Sequence, residues 1–294
     1  MTPRAFEWGA QTFVMGIVNV TPDSFSGDGL LRGESLSDAA VRQARDMVAA
    51  GAQILDIGGE STRPGGAPVG LEEELARVIP AIAAVRAELD VPISVDTYKA
   101  EVARQALAAG ATMVNDVWGL RMDPAMADAI AASGAYVVLM HNRSRPRDAV
   151  QESRLGGRYV GVAYDDLIAD VSRELLESVA LARLAGIADE RIILDPGIGF
   201  GKTVEQNLEL VARFDAFRAL GFPLLAGPSR KSFIGFTLDL PPDQRAEGTA
   251  AVVALCIDRG ADIVRVHDVA LISRVARMTD ALVRRSARLP APPA

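Results

Sequence analysis

The 294-residue chain contains few of the residues that build disulfides, zinc sites or nucleic-acid surfaces. Its one cysteine, Cys256, excludes an internal disulfide, and two histidines, His141 and His267, are too few for a zinc cluster. The net charge of −7 argues against a nucleic-acid partner. No apolar run approaches the roughly 20 residues of a membrane helix, and residues 1–8 lack the apolar core of a secretory signal. We therefore expect a cytosolic protein with small-molecule partners.

What the chain does contain is a regular alternation of short apolar runs with helical patterns. A hydrophobic content of 49% over 294 residues suits one large domain, and an α/β barrel typically needs about 250 residues. The pattern predicts a (β/α)₈ TIM barrel, with an open sheet as the alternative. We expect one domain over residues 1–286, an edge strand or hairpin at 4–10 as a plug for the barrel bottom, and a disordered Pro-rich tail at 287–294. Eight strands are predicted, at 13–18, 54–57, 92–96, 113–116, 136–140, 191–195, 223–226 and 263–267.

Polar side chains follow these strands where the apolar character stops. In a barrel the active site lies at the carboxyl ends of the strands, so these residues are the candidates for function. Simpler interpretations exist, because Asn forms turns, Asp caps helices, and Arg63, Lys202 and Arg230 could be solvated charges. The strand-end candidates are Asn19, Arg63, Asp96, Asn115, Asp195, Lys231, Arg265 and His267.

The last strand carries two cationic candidates. Arg265 and His267 are two residues apart on a strand and should point to the same side. With Arg63 opposite, they would form an anion site in an acidic protein, and the eighth strand is a common phosphate site in barrels. The substrate is therefore expected to carry phosphate. A deeper cluster suits a flat heterocycle with an amidine-like N–H edge, and consists of Asp96, Asn115, Asp195 and Lys231.

Seven motifs over most of the chain, in the same order, resemble the dihydropteroate synthase family. Their number and order make the resemblance specific. In the first loop, the family's usual SFSDGG reads SFSGDG at 24–29, which displaces the loop acid to Asp28. The motifs are GIVNVTPDSFS (16–26), ILDIGGESTRPGG (54–66), SVDTYK (94–99), VNDVWG (114–119), ILDPGIGFGK (193–202), GPSRKSFIG (227–235) and RVHD (265–268).

The resemblance implies the condensation of 6-hydroxymethyl-7,8-dihydropterin diphosphate with 4-aminobenzoate, by an SN1-like loss of diphosphate. It also implies Mg²⁺ bound at Asn19, a homodimer and sensitivity to sulfonamides. A side-chain nucleophile is not required, and the sequence suggests no Ser-His or Cys-His pair. The implied roles are pterin binding by Asp96, Asn115, Met140, Asp195 and Lys231; diphosphate binding by Asn19, Arg63, Arg265 and His267; aminobenzoate binding by Thr62, Pro64, Phe200, Lys231 and Ser232; and catalysis by Asn19, Arg63, Lys231, Arg265 and His267.

Three alternatives remain at this point. A pterin-binding paralogue without turnover would keep the same residues. A pterin-dependent methyltransferase would share the Asp/Asn/Asp cluster but would not need the Arg-x-His pair. An unrelated phosphate-binding barrel isomerase would normally require an acid/base pair that the sequence does not reveal. The irregular region 141–163 differs from the family pattern near His141, to which we assign no role, and its length indicates a functional loop.

Overall fold

The computed structural model describes residues 6–21, 35–60, 68–145, 148–160 and 163–284. The strands in these ranges are β1 (Phe13–Asn19), β2 (Ile54–Gly58), β3 (Ile93–Asp96), β4 (Met113–Asp116), β5 (Tyr136–Met140), β6 (Ala149–Glu152), β7 (Gly156–Tyr159), β8 (Ile192–Asp195), β9 (Leu225–Ala226) and β10 (Ile263–Val266). The α-helices are α1 (Leu36–Ala49), α2 (Leu71–Glu88), α3 (Ala100–Ala108), α4 (Met126–Ala131), α5 (Leu167–Leu184), α6 (Val204–Ala212), α7 (Ser232–Leu238), α8 (Ala246–Asp258) and α9 (Val269–Val283).

Eight parallel strands form the barrel, in the order β8-β5-β4-β3-β2-β1-β10-β9. The two ends of this order meet, because Leu194 of β8 forms a parallel bridge with Leu224, just before β9. The Leu194 amide also donates to the carbonyl of Pro223 at 2.9 Å. The predicted (β/α)₈ barrel is confirmed, and the open-sheet alternative is wrong.

The strands place alternate residues inside the barrel and against the helices, as the period of two requires. On β2, Ile54 lies in the barrel interior, whereas Leu55 and Ile57 belong to the larger core between strands and helices. Both faces are buried, which is why the strands read as continuous apolar runs. The helices begin at caps such as Thr203, whose hydroxyl accepts from the Gln206 amide at 3.2 Å.

The bottom of the barrel is closed by the N-terminal segment, but not by a strand. Within the described part of this segment, residues 6–12 form turns, so the predicted edge strand is wrong there. Gly9 has a positive φ of 80°, which turns the chain so that Phe6 and Trp8 face inward. The Phe6 ring stacks on Trp8 at 4.8 Å and meets Phe13 edge-on at 5.0 Å. The expected plug is therefore made by side chains.

Helix α1 begins after Ser35, which forms a capping box with Asp38. One other local prediction needs correction. The region 141–163, which was predicted to be an irregular loop, contains an antiparallel hairpin of β6 and β7. The proposed tail, 287–294, lies outside the described residues. None of the helices in the described ranges is long and apolar enough to cross a membrane.

Candidate active site

The upper half of the barrel interior is lined by polar side chains. Inward positions near the carboxyl ends of five strands carry an acid, an amide or a guanidinium, and all are largely buried. On four of these strands the polar residue lies two positions after an apolar inward residue, as Asp56 follows Ile54, whereas on β3 both inward residues, Ser94 and Asp96, are polar. The residues of this layer, here called the polar layer, are Asp56, Ser94, Asp96, Asn115, Asp195 and Arg265.

Arg265 is the centre of the polar layer. Its Nε donates to Asp56 Oδ2 and its Nη2 to Asp96 Oδ2, each at 2.5 Å. Asn115 Nδ2 donates to the same Asp56 oxygen at 3.1 Å. Burial alone would lower the pKa of Arg265, but the charges of Asp56 and Asp96 raise it overall. The guanidinium is thus held by carboxylates, in addition to any role toward an anion.

Asp56 was missed by the sequence analysis. It is fully buried on β2 and accepts from both Arg265 and Asn115. The available signal was an acid in the middle of the apolar run Ile-Leu-Asp-Ile, where a charge is expected only with a partner. Its partner is remote in sequence, so the signal could indicate a site but not its geometry.

The two predicted pterin carboxylates have raised pKa values. Burial raises the pKa of Asp96 to about 7 and that of Asp195 to about 6, although nearby cations, including Lys231, oppose this shift. Asp195 also accepts the Gly197 amide at 2.7 Å. Neither caps a helix, because Lys99 and Thr203 occupy the N-caps of α3 and α6. Perturbed buried carboxyls at a barrel mouth are typical of a functional site.

Several oxygens of the polar layer lack hydrogen-bond partners. Buried polar atoms are normally paired, so an unpaired group requires an explanation. In the described part of the chain, four such atoms lie in this layer: Asp56 Oδ1, Ser94 Oγ, Asp96 Oδ1 and Asn115 Oδ1. Three are carbonyl or carboxylate oxygens that can only accept from a donor when the acids are ionised. The site is therefore suited to a ligand rich in N–H groups.

An apolar cluster lies above the polar layer. Met140 and Phe200 are buried together with Val117, and Tyr98 and Trp118 pack beside them. The Lys231 ammonium lies 3.8 Å from the centre of the Phe200 ring, a cation–π contact. Met140, Phe200 and Lys231 are thus brought together, with Lys231 also near Asp96 and Asp195. This arrangement can enclose a flat ring.

His267 lies just beyond β10 and contacts Ser229. The Ser229 hydroxyl is 3.0 Å from His267 Nδ1, and it accepts the His267 backbone N–H at 3.1 Å. The sequence suggested no Ser-His pair, so this contact was missed. Because Ser229 is buried and already accepts from the backbone, the pair is suited to orienting the imidazole rather than to nucleophilic attack.

Part of the predicted anion and aminobenzoate site cannot be placed. Thr62, Arg63, Pro64 and Asp28 lie outside the described residues. Asn19 ends β1 beside Gly58 of β2, and Ser232 begins α7 directly after Lys231.

Gly59 and Glu60, which follow β2, are anchored to helix α2 and to the loop after β3. Arg77 donates to the Gly59 carbonyl at 2.7 Å, and Lys99 pairs with Glu60 at 2.6 Å.

Two of the cations that could have been solvated charges behave differently. Lys202 is only 2% exposed, and its ammonium is hydrogen-bonded to His141, so the simpler interpretation is wrong for this residue. Burial lowers the pKa of Lys202 to about 7 and the pKa of His141 to about 3. Arg230 is partly exposed but pairs with Asp268.

Comparison with known proteins shows which family the chain resembles. A family model described as "Pterin binding enzyme" matches residues 15–267. A dihydropteroate synthase of Bacillus subtilis is 50% identical over 283 residues, covering 96% of this chain and 93% of that protein. A Clostridium difficile dihydropteroate synthase, solved in the presence of pteroic acid, is 48% identical with a TM-score of 0.86, covering 95% of this chain and 99% of its own. A Yersinia pestis dihydropteroate synthase in a sulfonamide complex is 40% identical with a TM-score of 0.85, covering 96% and 98%.

Fold and site together define an enzyme of the pterin-binding barrel class. The length of the matches and the identity of 50% over 96% of the chain leave no large segment unaccounted for. The chain belongs to the pterin-binding enzyme family and, within it, to the dihydropteroate synthases.

Proposed function

We propose that the protein condenses 6-hydroxymethyl-7,8-dihydropterin diphosphate with 4-aminobenzoate, giving 7,8-dihydropteroate and diphosphate. The observation that carries this proposal is the pair of buried oxygens, Asp96 Oδ1 and Asn115 Oδ1, that lack a donor among the described residues. The amino group and ring N–H groups of a pterin would supply those donors. Pteroic acid, present with the Clostridium difficile relative, is a pterin joined to 4-aminobenzoate.

The pterin would lie across the polar layer. Asp96, Asn115 and Asp195 would accept its N–H groups, and Met140 would pack against its ring. Hydrogen bonds to ionised acceptors are stronger than neutral ones, worth about 1.5–3 kcal/mol each, so ionised Asp96 and Asp195 would favour binding. Lys231 supplies an ammonium near both carboxylates, where it favours their charged forms.

Diphosphate would leave first, because the reduced pterin can delocalise the positive charge that develops on its exocyclic methylene. Arg265, His267 and Arg63 would stabilise the departing anion as preorganised donors. On Arg265, Nη1 makes no hydrogen bond within the described ranges, while Nε and Nη2 are held by Asp56 and Asp96. If Ser229 donates its hydroxyl proton to Nδ1 of His267, the ring carries its proton on Nε2, ready to donate to a phosphate oxygen.

The arylamine would then attack the methylene carbon and lose a proton. Phe200, Lys231 and Ser232 would form the aminobenzoate side of the site, completed by Thr62 and Pro64. Support comes from the contact of the Lys231 ammonium with the Phe200 ring and from the position of Ser232 directly after Lys231. Sulfonamides imitate aminobenzoate, and we propose that they bind the same place.

Mg²⁺ is proposed as the metal that accompanies the diphosphate. This ion prefers oxygen ligands and commonly binds through substrate phosphates and water, with one or two protein ligands. Asn19 offers one amide oxygen, and the described residues contain no group of three His, Cys, Asp or Glu side chains that could hold a metal. This donor set fits an ion that arrives with diphosphate. Asn19 would hold it, and it would neutralise charge on the leaving group.

We also propose a homodimer. Exposed apolar side chains lie on the packed helices α8 and α9, away from the carboxyl ends of the strands: Leu255, Met278 and Leu282. Sedimentation of the protein and of Met278→Glu would test this, since a dimer through this face should dissociate in the variant. The cytosolic location expected from the sequence stays a prediction.

The deciding experiment measures diphosphate release from the dihydropterin diphosphate with Mg²⁺, with and without 4-aminobenzoate, while dihydropteroate is quantified in the same reaction. Product that depends on aminobenzoate is expected. Tight pterin binding without diphosphate release would instead identify a binding-only paralogue, and no pterin binding would refute the proposal.

A further inference from the structure

Lys202 is the most deeply buried lysine of the described chain and does not contact the polar layer. Its Nζ makes hydrogen bonds of 3.0 Å to the Gly197 carbonyl, 3.1 Å to the Phe200 carbonyl and 3.0 Å to His141 Nδ1. An ammonium has three protons and no lone pair, so three acceptors match it completely. A buried charge is tolerated only with such full pairing.

His141 connects Lys202 to an acid on helix α5. Because Nδ1 accepts from the ammonium, the ring proton belongs on Nε2, which lies 3.1 Å from Glu174 Oε2. Arg143 donates to Glu174 at 2.9 Å and stacks on Tyr164 at 4.2 Å. The result is a continuous chain from Lys202 through His141 to Glu174 and Arg143.

Two of the three acceptors of Lys202 are the carbonyl groups at the two ends of one tight turn, residues 197–200. The Phe200 amide donates to the Gly197 carbonyl at 3.1 Å, and the ammonium binds both carbonyls from below. Gly197 has a φ of 74°, and a Cβ there would lie 1.9 Å from the His141 carbonyl oxygen, so the turn is seated directly on the His141 backbone. The upper side of the turn presents the Phe200 ring to Lys231.

We propose that Lys202 and His141 are positioning residues that hold the 197–200 turn, and with it the Phe200 ring, in place for the aminobenzoate substrate. This rests on the function proposed above. The pterin half should depend less on Lys202, because Asp195 stands on strand β8, whereas the backbone of Phe200 belongs to the turn that the ammonium holds. Burying the Lys202 ammonium costs free energy of folding, and its function in holding the turn accounts for its position beneath this loop instead of in the substrate site.

Lys202→Met tests the proposal, because methionine keeps a long unbranched side chain but lacks the three N–H donors of the ammonium. We expect the KM for 4-aminobenzoate to rise about tenfold or more, the loss expected for hydrogen bonds to a charged group. The kcat and the dissociation constant of 6-hydroxymethylpterin should each change less than about threefold. Arg183→Met is the matched control. Arg183 lies at the exposed end of α5 and pairs with Asp189, so its replacement should leave all three values unchanged.

His141 supplies a second test that does not depend on the folding of Lys202→Met. His141→Asn keeps an oxygen near the position of Nδ1 for Lys202, whereas His141→Leu removes it. The leucine variant should raise the KM for aminobenzoate more than the asparagine variant does. Equal values for the two would overturn the role of His141.

The outcomes separate the inference from the proposed function. Wild-type protein that forms no aminobenzoate-dependent product refutes the function itself. Active wild type with an unchanged KM in Lys202→Met refutes the positioning role. A parallel rise in the KM and in the pterin dissociation constant also refutes it, because a general loosening of the barrel would affect both halves of the site.

Discussion

The lower and upper halves of the barrel interior are built on the same strands but have opposite chemistry. The lower half is a packed apolar cluster, sealed by Phe6 and Trp8. The upper half contains three buried aspartates, an arginine and several oxygens that have no donor within the described residues. Two residues along a strand separate the two environments, as between Ile54 and Asp56.

Burial of side chains stabilises the fold in the lower half, whereas in the upper half it prepares a binding site. Fully burying an aliphatic or aromatic side chain contributes about 1.5–3 kcal/mol to the free energy of unfolding, and the lower half buries several such side chains. In the upper half, burial raises the pKa of Asp96 to about 7, so ionising this group works against the folded state. A layer that costs stability without a ligand is expected at a functional site.

The largest effect on activity is expected from Arg265→Met, compared with Arg284→Met at the barrel bottom. Removing a preorganised donor typically lowers kcat about 10²–10³-fold, and we expect turnover to fall more than pterin affinity. Arg284 pairs with Asp280 at 2.8 Å and donates to the Gly9 carbonyl, so its loss should affect stability only. Steady-state kinetics and thermal unfolding of both variants make the comparison. An unchanged kcat in Arg265→Met would refute the assignment of this residue to diphosphate departure.

A smaller effect is expected from Asp195→Asn, paired with Asp262→Asn. Neutral asparagine can still accept the Gly197 amide but loses charge toward the pterin, so pterin affinity should fall about 10–100-fold. Asp262 accepts the amides of Gly9 and Leu224 at the bottom, and its variant should lower the free energy of unfolding without changing pterin affinity. Calorimetric titration with 6-hydroxymethylpterin distinguishes the two variants. Equal losses of pterin affinity in both would contradict the assignment of binding to the upper half alone.

The pH dependence of the unliganded protein should come from the upper half. The pKa of Asp96 is raised by burial to about 7, above its ordinary value of 3.8, so the folded state binds more protons between these values. Stability contributed by this group is therefore present at low pH and is lost as pH rises toward 7. The lowered pKa values of His141 and Lys202 give slopes of the opposite sign, so the slope of Asp96 is the pH dependence of the difference between wild type and Asp96→Asn in urea denaturation from pH 5 to 8. Pterin affinity should change oppositely, weakening below pH 7, and an identical stability slope in the variant would contradict this origin.

The smallest effect on activity is expected from Trp8→Ala. Trp8 is only partly buried, so losing its packing on Phe6 and Phe13 should cost about 1–3 kcal/mol of unfolding free energy, below the value for a fully buried Trp. The kcat should not change, since the plug lies at the opposite end of the barrel from the polar layer. A loss of turnover in protein that is still folded would mean that the two halves are coupled.

Much of the barrel could be predicted because the relevant signals are local. Strands β4 (Met113–Asp116) and β5 (Tyr136–Met140) have the predicted bounds, since apolar runs between turn signals define them. The hairpin of β6 and β7 was missed because each strand has only four residues, β6 is mostly exposed, and two glycines weaken the strand pattern of β7. Of the candidate site residues, Asp96, Asn115, Asp195 and Lys231 come together as expected. Arg265, expected in the anion site, also binds Asp96 and Asp56, and Thr62, Arg63 and Pro64 stay predictions.

Local sequence patterns are enough to predict the order of strands and helices, the family, and the residue types at the strand ends, because hydrophobic period and motif order are properties of neighbouring positions. Which charges neutralise one another depends on the folded chain. Arg265 pairs with Asp56 across 209 positions, and Lys202 pairs with His141 across 61. Contacts of this kind arise when barrel closure brings strand ends together, and burial then determines whether a lysine is solvated or fully enclosed. For that reason the sequence around Lys202 was compatible with a surface cation, whereas in the fold its ammonium is enclosed and binds the 197–200 turn.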